Sequence, residues 1–114
     1  MKYVVRAVPL LQPVEEIQAV FATQLGERRT ETDAFYGGNG VVHESVHLQE
    51  LPTGPMLIIV TVIEDRSEVS ARFRVATDDY SAWLKSQVLL HTGVDANVTP
   101  TGPQTTELFC WEPS

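Results

Sequence analysis

Two histidines form the part of this sequence best suited to proton transfer near neutral pH. His43 and His47 lie four positions apart in a stretch of alternating polar and apolar residues. In a strand, this spacing places both on one face with their Cα atoms about 13 Å apart. Because that distance is long for one shared metal ion, we predict no metal site. We expect both side chains to line a polar cleft, where either is a weak candidate for general acid or base.

Arg6 is the second residue with chemical potential, because it interrupts an otherwise apolar stretch. In a strand it shares a face with Val4 and Val8, and a buried guanidinium without an anionic partner is costly. An ion pair with a glutamate of the same or a facing sheet is the commoner arrangement. The alternative is a carboxylate-bearing ligand, which the planar guanidinium binds with two parallel hydrogen bonds.

The stretch from Thr105 to Trp111 adds further candidates. If it forms a strand, Glu107, Phe109 and Trp111 share one face. Glu107 could then approach a cleft histidine, or it could simply protect an exposed strand edge. Cys110 has no hydrolase signature around it and is expected to be a small buried hydrophobe. The candidate ligand-binding residues are Arg6, His43, His47, Glu107 and Trp111.

These residues must be positioned by elements whose order is strand, helix, strand, strand, helix, strand. The predicted strands are Lys2 to Val8, Val41 to Leu51, Met56 to Glu64 and Thr105 to Trp111. A first helix starts near Pro13, and the sequence leaves open whether it ends at Gly26 or continues to Gly37. A second helical region starts near Ser67, with a fresh N-cap around Asp78 and a C-terminal Gly93.

This order predicts an α+β fold of the ferredoxin-like βαββαβ type, a single domain with a four-stranded antiparallel sheet. Its helices cover only one face of the sheet. The predicted strand from Met56 to Glu64 is nevertheless apolar on both sides, so the second face also needs a cover. We therefore predict a homodimer in which two sheets face each other.

Composition excludes several classes of function. The chain has 114 residues and a formal net charge of −7, which argues against nucleic acid and against anionic membrane surfaces as partners. A single cysteine excludes an intrachain disulfide and favours a reducing compartment, so a cytoplasmic location is expected. The longest apolar run, Met56 to Ile63, is far shorter than the roughly 20 residues of a spanning helix.

Three stretches resemble the dimeric α+β barrel superfamily, and most closely its small uncharacterised bacterial members. They are Glu44 to Leu48, Asp79 to Val88, and His91 to Asp95. The resemblance covers most of the chain but indicates fold more than chemistry. That superfamily includes cofactor-independent monooxygenases, haem-handling proteins and lactone isomerases, and no catalytic signature of these branches is present here.

Three functions follow from these observations. The first is a homodimer that binds a small apolar or carboxylate-bearing molecule in the cleft between its sheets. The second is a cofactor-independent monooxygenase or isomerase that uses a cleft histidine. The third is a structural homodimer without a functional pocket. No cofactor is predicted for any of them.

Overall fold

A three-stranded antiparallel sheet with four helices makes up the described part of the chain, residues 1–99 and 104–113 of a computed structural model. The fold is therefore mixed α+β, as predicted. The strands occur in the order β1-β3-β2. The elements along the chain are β1 (Lys2–Pro9), α1 (Val14–Leu25), α2 (Arg29–Gly38), β2 (Val41–Leu51), β3 (Gly54–Ile63), α3 (Val69–Val75) and α4 (Asp79–Thr92).

Each predicted helical region consists of two helices. The first region breaks at Gly26, where a Cβ atom would lie 2.8 Å from the carbonyl oxygen of Ala22, closer than a side chain tolerates. The first helix therefore ends at Leu25 and does not continue to Gly37. In the second region, the Asp78 side chain accepts a hydrogen bond from the backbone N–H of Ser81 at 3.0 Å and caps α4. Gly93 ends α4 in the left-handed conformation, with φ of 76°.

Strand register assigns each side chain of the sheet to one of two faces. Arg6 lies opposite Ile59, which lies opposite Val46, so these three side chains share a face. The helix-covered face comprises Val4, Arg6, Val8, Glu44, Val46, Leu48, Leu57, Ile59 and Thr61. The opposite face, called the open face below, comprises Tyr3, Val5, Ala7, His43, Ser45, His47, Met56, Ile58, Val60 and Val62.

Helices pack against only one of these faces. One hydrophobic cluster joins Val8 and Leu57 of the sheet to Ile17 and Val20 of α1. A second lies mainly among the helices, around Phe73, Tyr80, Leu84 and Ala96. Within the described residues, neither cluster includes a member of the open face, and Tyr3 there is 68% exposed. The prediction that helices cover a single face is thus met in this chain.

The predicted fourth strand is not formed in the single chain. Gln104 forms an isolated antiparallel bridge with Arg6, and residues 105–113 continue without regular strand pairing. The four-stranded sheet and the two-chain barrel accordingly stay predictions. None of the helices in the described residues is both long and apolar enough to cross a membrane.

Candidate functional site

A cavity of about 150 Å³ lies between the helix-covered face and the helices. Every strand and every helix contributes to its lining, which is mostly apolar. Representative apolar residues are Val20, Phe21, Phe35, Phe73 and Val88. The lining therefore favours an uncharged, largely hydrocarbon occupant over most of its surface.

Arg6 is the cationic side chain of the cavity lining, and it is only 5% exposed. Its position follows from the alternation of β1, which places it between the buried Val4 and Val8, as predicted. In the described part of the chain, its Nε has no hydrogen-bond partner and no carboxylate lies within ion-pair distance of the guanidinium. Burial lowers the pKa of Arg6, and the charge of Glu44 partly opposes this shift.

Glu44 lies on the same face of the sheet as Arg6, on the opposite edge strand. The two residues lie on β2 and β1 with β3 between them and are offset by two positions along the strands, so their backbones are about 12 Å apart. Glu44 is held by Thr61, whose hydroxyl donates to Oε1 of the carboxylate at 2.8 Å. The cation and the anion are therefore neighbours across the cavity without forming an ion pair.

Tyr36 of α2 joins this polar end of the cavity. Burial raises the pKa of its phenol far above the ordinary range, and the adjacent Glu44 carboxylate raises it further. The phenol consequently stays protonated and can act as a hydrogen-bond donor at neutral pH. Sequence reasoning missed Tyr36 and did not assign Glu44 to a site.

A hydrogen-bond network fixes the helices around the cavity. Gln24 of α1 donates to the Tyr80 hydroxyl at 3.1 Å, and that hydroxyl lies 2.8 Å from Oγ1 of Thr32. All three residues are buried. Because they belong to α1, α4 and α2, this network holds three of the four helices in a defined arrangement.

His43 and His47 lie on the open face, as the alternation predicted, and both are exposed. Nε2 of His47 is 3.0 Å from the Ser45 hydroxyl. Neither histidine lines the cavity that contains Arg6, because successive side chains of a strand point to opposite faces. The structure therefore separates the histidines from Arg6, and their role in acid–base chemistry stays a prediction.

Glu107 and Trp111 lie outside the sheet, in the exposed segment that follows Gln104. Trp111 is 74% exposed and contributes to no described cavity. Cys110 is exposed, so its predicted burial is wrong for the single chain. Glu107, through a hydrogen bond and its charge, raises the pKa of the Cys110 thiol. A thiol in this setting is a poorer nucleophile than an ordinary cysteine at neutral pH.

Among residues 1–99 and 104–113, no group of three His, Cys, Asp or Glu side chains is arranged to hold a metal ion. In comparisons with known proteins, no family model, no curated protein and no solved structure matches this chain. The cavity and its polar end are the features of the structure that bear most directly on function.

Proposed function

We propose that this protein binds a small, largely apolar carboxylic acid in the cavity between its sheet and its helices. The observation that carries the proposal is the Arg6 guanidinium, which is buried at the edge of an apolar cavity and lacks an anionic partner among the described residues. A buried, unpaired charge is costly for a fold, and a bound carboxylate would relieve that cost with paired hydrogen bonds.

The size of the cavity limits the ligand. A volume of about 150 Å³ accommodates a molecule near the size of benzene. With a carboxylate directed at Arg6, the hydrocarbon part would contact Val20, Phe21 and Phe35. Tyr36 would then face the polar end of the ligand, where its protonated phenol donates a hydrogen bond. The ligand class is therefore aromatic or short-chain monocarboxylic acids.

This location differs from the cleft between two sheets that the sequence indicated. Arg6 was expected to face such a cleft together with His43 and His47. The register of β1 instead directs Arg6 towards the helices, and the histidines occupy the other face. The proposed ligand class is retained, and the site moves to the opposite side of the sheet.

Binding of benzoate and of its neutral analogue benzamide tests the proposal directly. Isothermal titration calorimetry on the wild-type chain should show tighter binding of benzoate. Arg6→Met should abolish the preference for the carboxylate, and Arg6→Lys should retain part of it because a single ammonium replaces the planar fork. Arg66→Met removes an exposed arginine and is the matched control.

Equal binding of benzoate and benzamide, or an unchanged preference in Arg6→Met, would contradict the proposal. Failure of the wild-type chain to bind any of hexanoate, benzoate and phenylacetate would favour a structural protein without a functional pocket.

We also propose that the protein is a cytoplasmic homodimer in which two ferredoxin-like chains pack open face to open face. The support is the open face itself, where Tyr3 and Val5 are exposed beside the apolar side chains of β3. Contiguous apolar surface of this kind commonly marks an interface. Native mass spectrometry should detect a dimer, and a monomer at micromolar concentration would contradict the proposal.

A further inference from the structure

The segment of residues 105–113, called the C-terminal arm below, leaves the sheet at the edge of β1. Thr105 is attached to that edge, since its backbone N–H and its hydroxyl both donate to the carbonyl oxygen of Val5, at 3.0 and 2.7 Å. Beyond Thr105 the arm is exposed along its whole length. Leu108, Phe109 and Trp111 are 94%, 84% and 74% exposed.

Such exposure is unusual for three large apolar side chains within four consecutive positions. Aromatic residues are enriched in protein interfaces, where one ring buries a large area at little cost in side-chain entropy. The alternation of Glu107, Phe109 and Trp111 with Leu108 and Cys110 is also typical of a strand. The composition of the arm thus indicates a segment that pairs with a surface.

The sheet of the same chain cannot provide that whole surface. The bridge between Arg6 and Gln104 is antiparallel, so each step along the arm moves one residue back along β1. Continued along the arm, this register would place Leu108 opposite Lys2, where β1 begins, and Phe109 and Trp111 past the end of the strand. Edge pairing within one chain accounts for the first half of the arm only.

The same register gives the direction of the aromatic side chains. Thr105 lies beside Val5, and Val5 belongs to the open face. Neighbouring side chains across a strand pair share a face, so in an extended arm Glu107 would be directed to the open-face side, and by alternation so would Phe109 and Trp111. That side of the sheet is the one left without a helix.

We propose that the C-terminal arm crosses to a second copy of this chain and packs Phe109 and Trp111 against that copy's open face. The inference rests on the homodimer proposed above, whose interface the arm would extend. Polar complementarity supports the same occupant: Glu107 shares a face with Phe109 and Trp111, whereas the open face carries His43 and His47 and no carboxylate.

The only cysteine of the chain, Cys110, lies in the arm and provides a site-specific probe. The full chain would be labelled there with a benzophenone maleimide, and ¹⁴N-labelled and ¹⁵N-labelled chains would be refolded together and illuminated. Mass spectrometry should find cross-links between chains of different isotope content. Each should join Cys110 of one chain to β2 or β3 of the other. A dimer whose cross-links all lie within one chain would overturn the arm exchange and leave the homodimer standing.

Sedimentation equilibrium gives an independent measurement. The double variant Phe109→Ser, Trp111→Ser should raise the dimer dissociation constant at least about tenfold, since two buried aromatic contacts are lost. Leu25→Ser, Val75→Ser removes two exposed apolar side chains elsewhere and is the matched control. An unchanged constant in the arm variant would overturn the exchange, and a monomeric wild-type chain would overturn both proposals.

Discussion

At the scale of single residues, Arg6, through which we propose that the ligand is bound, is expected to oppose stability. Its guanidinium is buried without an anionic partner in the described chain, so the fold bears the desolvation cost when no ligand is bound. We expect Arg6→Met to raise the free energy of unfolding by about 1 to 4 kcal/mol, as when buried ion pairs are replaced by well-packed apolar side chains.

Urea denaturation at a fixed protein concentration, in a buffer free of carboxylates, measures this change. Arg66→Met, at an exposed position, should leave the free energy of unfolding nearly unchanged. A loss of stability in Arg6→Met would show instead that the arginine has a structural partner.

Tyr36 leads to a prediction about alkaline pH. Burial and Glu44 raise the pKa of its phenol, so the folded protein keeps a proton that the unfolded chain releases above pH 10, its ordinary pKa. Stability from this group is complete below that pH and is lost as the pH rises through it. At pH 11 the wild-type chain should have lost about 1.4 kcal/mol more than Tyr36→Phe.

The measurement is urea denaturation of both proteins between pH 8 and pH 11. Tyr3→Phe, which removes an exposed phenol, is the matched control. Parallel loss of stability in the wild-type chain and in Tyr36→Phe would mean that the Tyr36 phenol ionises in the folded protein.

Sequence reasoning identified some residues of the candidate site and missed others. Arg6 was identified because a charged residue within an apolar stretch can be recognised from the sequence alone. Tyr36 was not, because its approach to Glu44 depends on how α2 lies over β2. The alternation also placed the histidines correctly on one face, but could not say that Arg6 and the histidines belong to opposite faces of the same sheet.

At the scale of elements, Lys85 determines how α3 meets α4. Its Nζ donates to the carbonyl oxygens of Arg74 and Ala76 at 3.0 and 2.7 Å, and to Oδ1 of Asn97 at 3.0 Å. The ammonium thus uses all of its donors and satisfies carbonyl groups at the end of a short helix. This contact joins α3, α4 and the loop that follows α4.

We expect Lys85→Met to reduce the free energy of unfolding by about 2 to 3 kcal/mol, because it removes charge-assisted hydrogen bonds and leaves buried acceptors unpaired. Hydrogen exchange should localise the effect to α3. Lys2→Met changes the only other lysine of the chain, which is exposed, and provides the comparison. Equal stability of the two variants would show that α3 does not depend on this link.

Most helices and strands were predictable because their sequence signals are local. The last predicted strand is the exception, because a strand also needs an edge to pair with. β3 is apolar on both sides, and Asp78 and Gly93 are local end signals of α4, so each can be inferred from neighbouring residues. The last strand was predicted from the same kind of alternation over Thr105 to Trp111. Its formation depends on a pairing edge, and β1 provides an edge for only part of its length.

At the scale of the whole molecule, the open face is the surface through which the proposed dimer would form. Val60 lies in its centre, between Val5 of β1 and Ser45 of β2. A carboxylate there would be buried without a partner in a dimer, but would reach solvent in a monomer. We therefore expect Val60→Asp to raise the dimer dissociation constant about a hundredfold or more, the effect of a few kcal/mol of unpaired charge.

The matched control is Val75→Asp, which makes the same substitution at a helical position that is 63% exposed and does not belong to the open face. Sedimentation equilibrium should find Val75→Asp as dimeric as the wild-type chain, and circular dichroism should find both variants folded. The cavity lies on the other face of the sheet, so Val60→Asp should still prefer benzoate to benzamide. If Val60→Asp lost that preference while remaining folded, ligand binding and dimerisation would be coupled through the sheet that separates them.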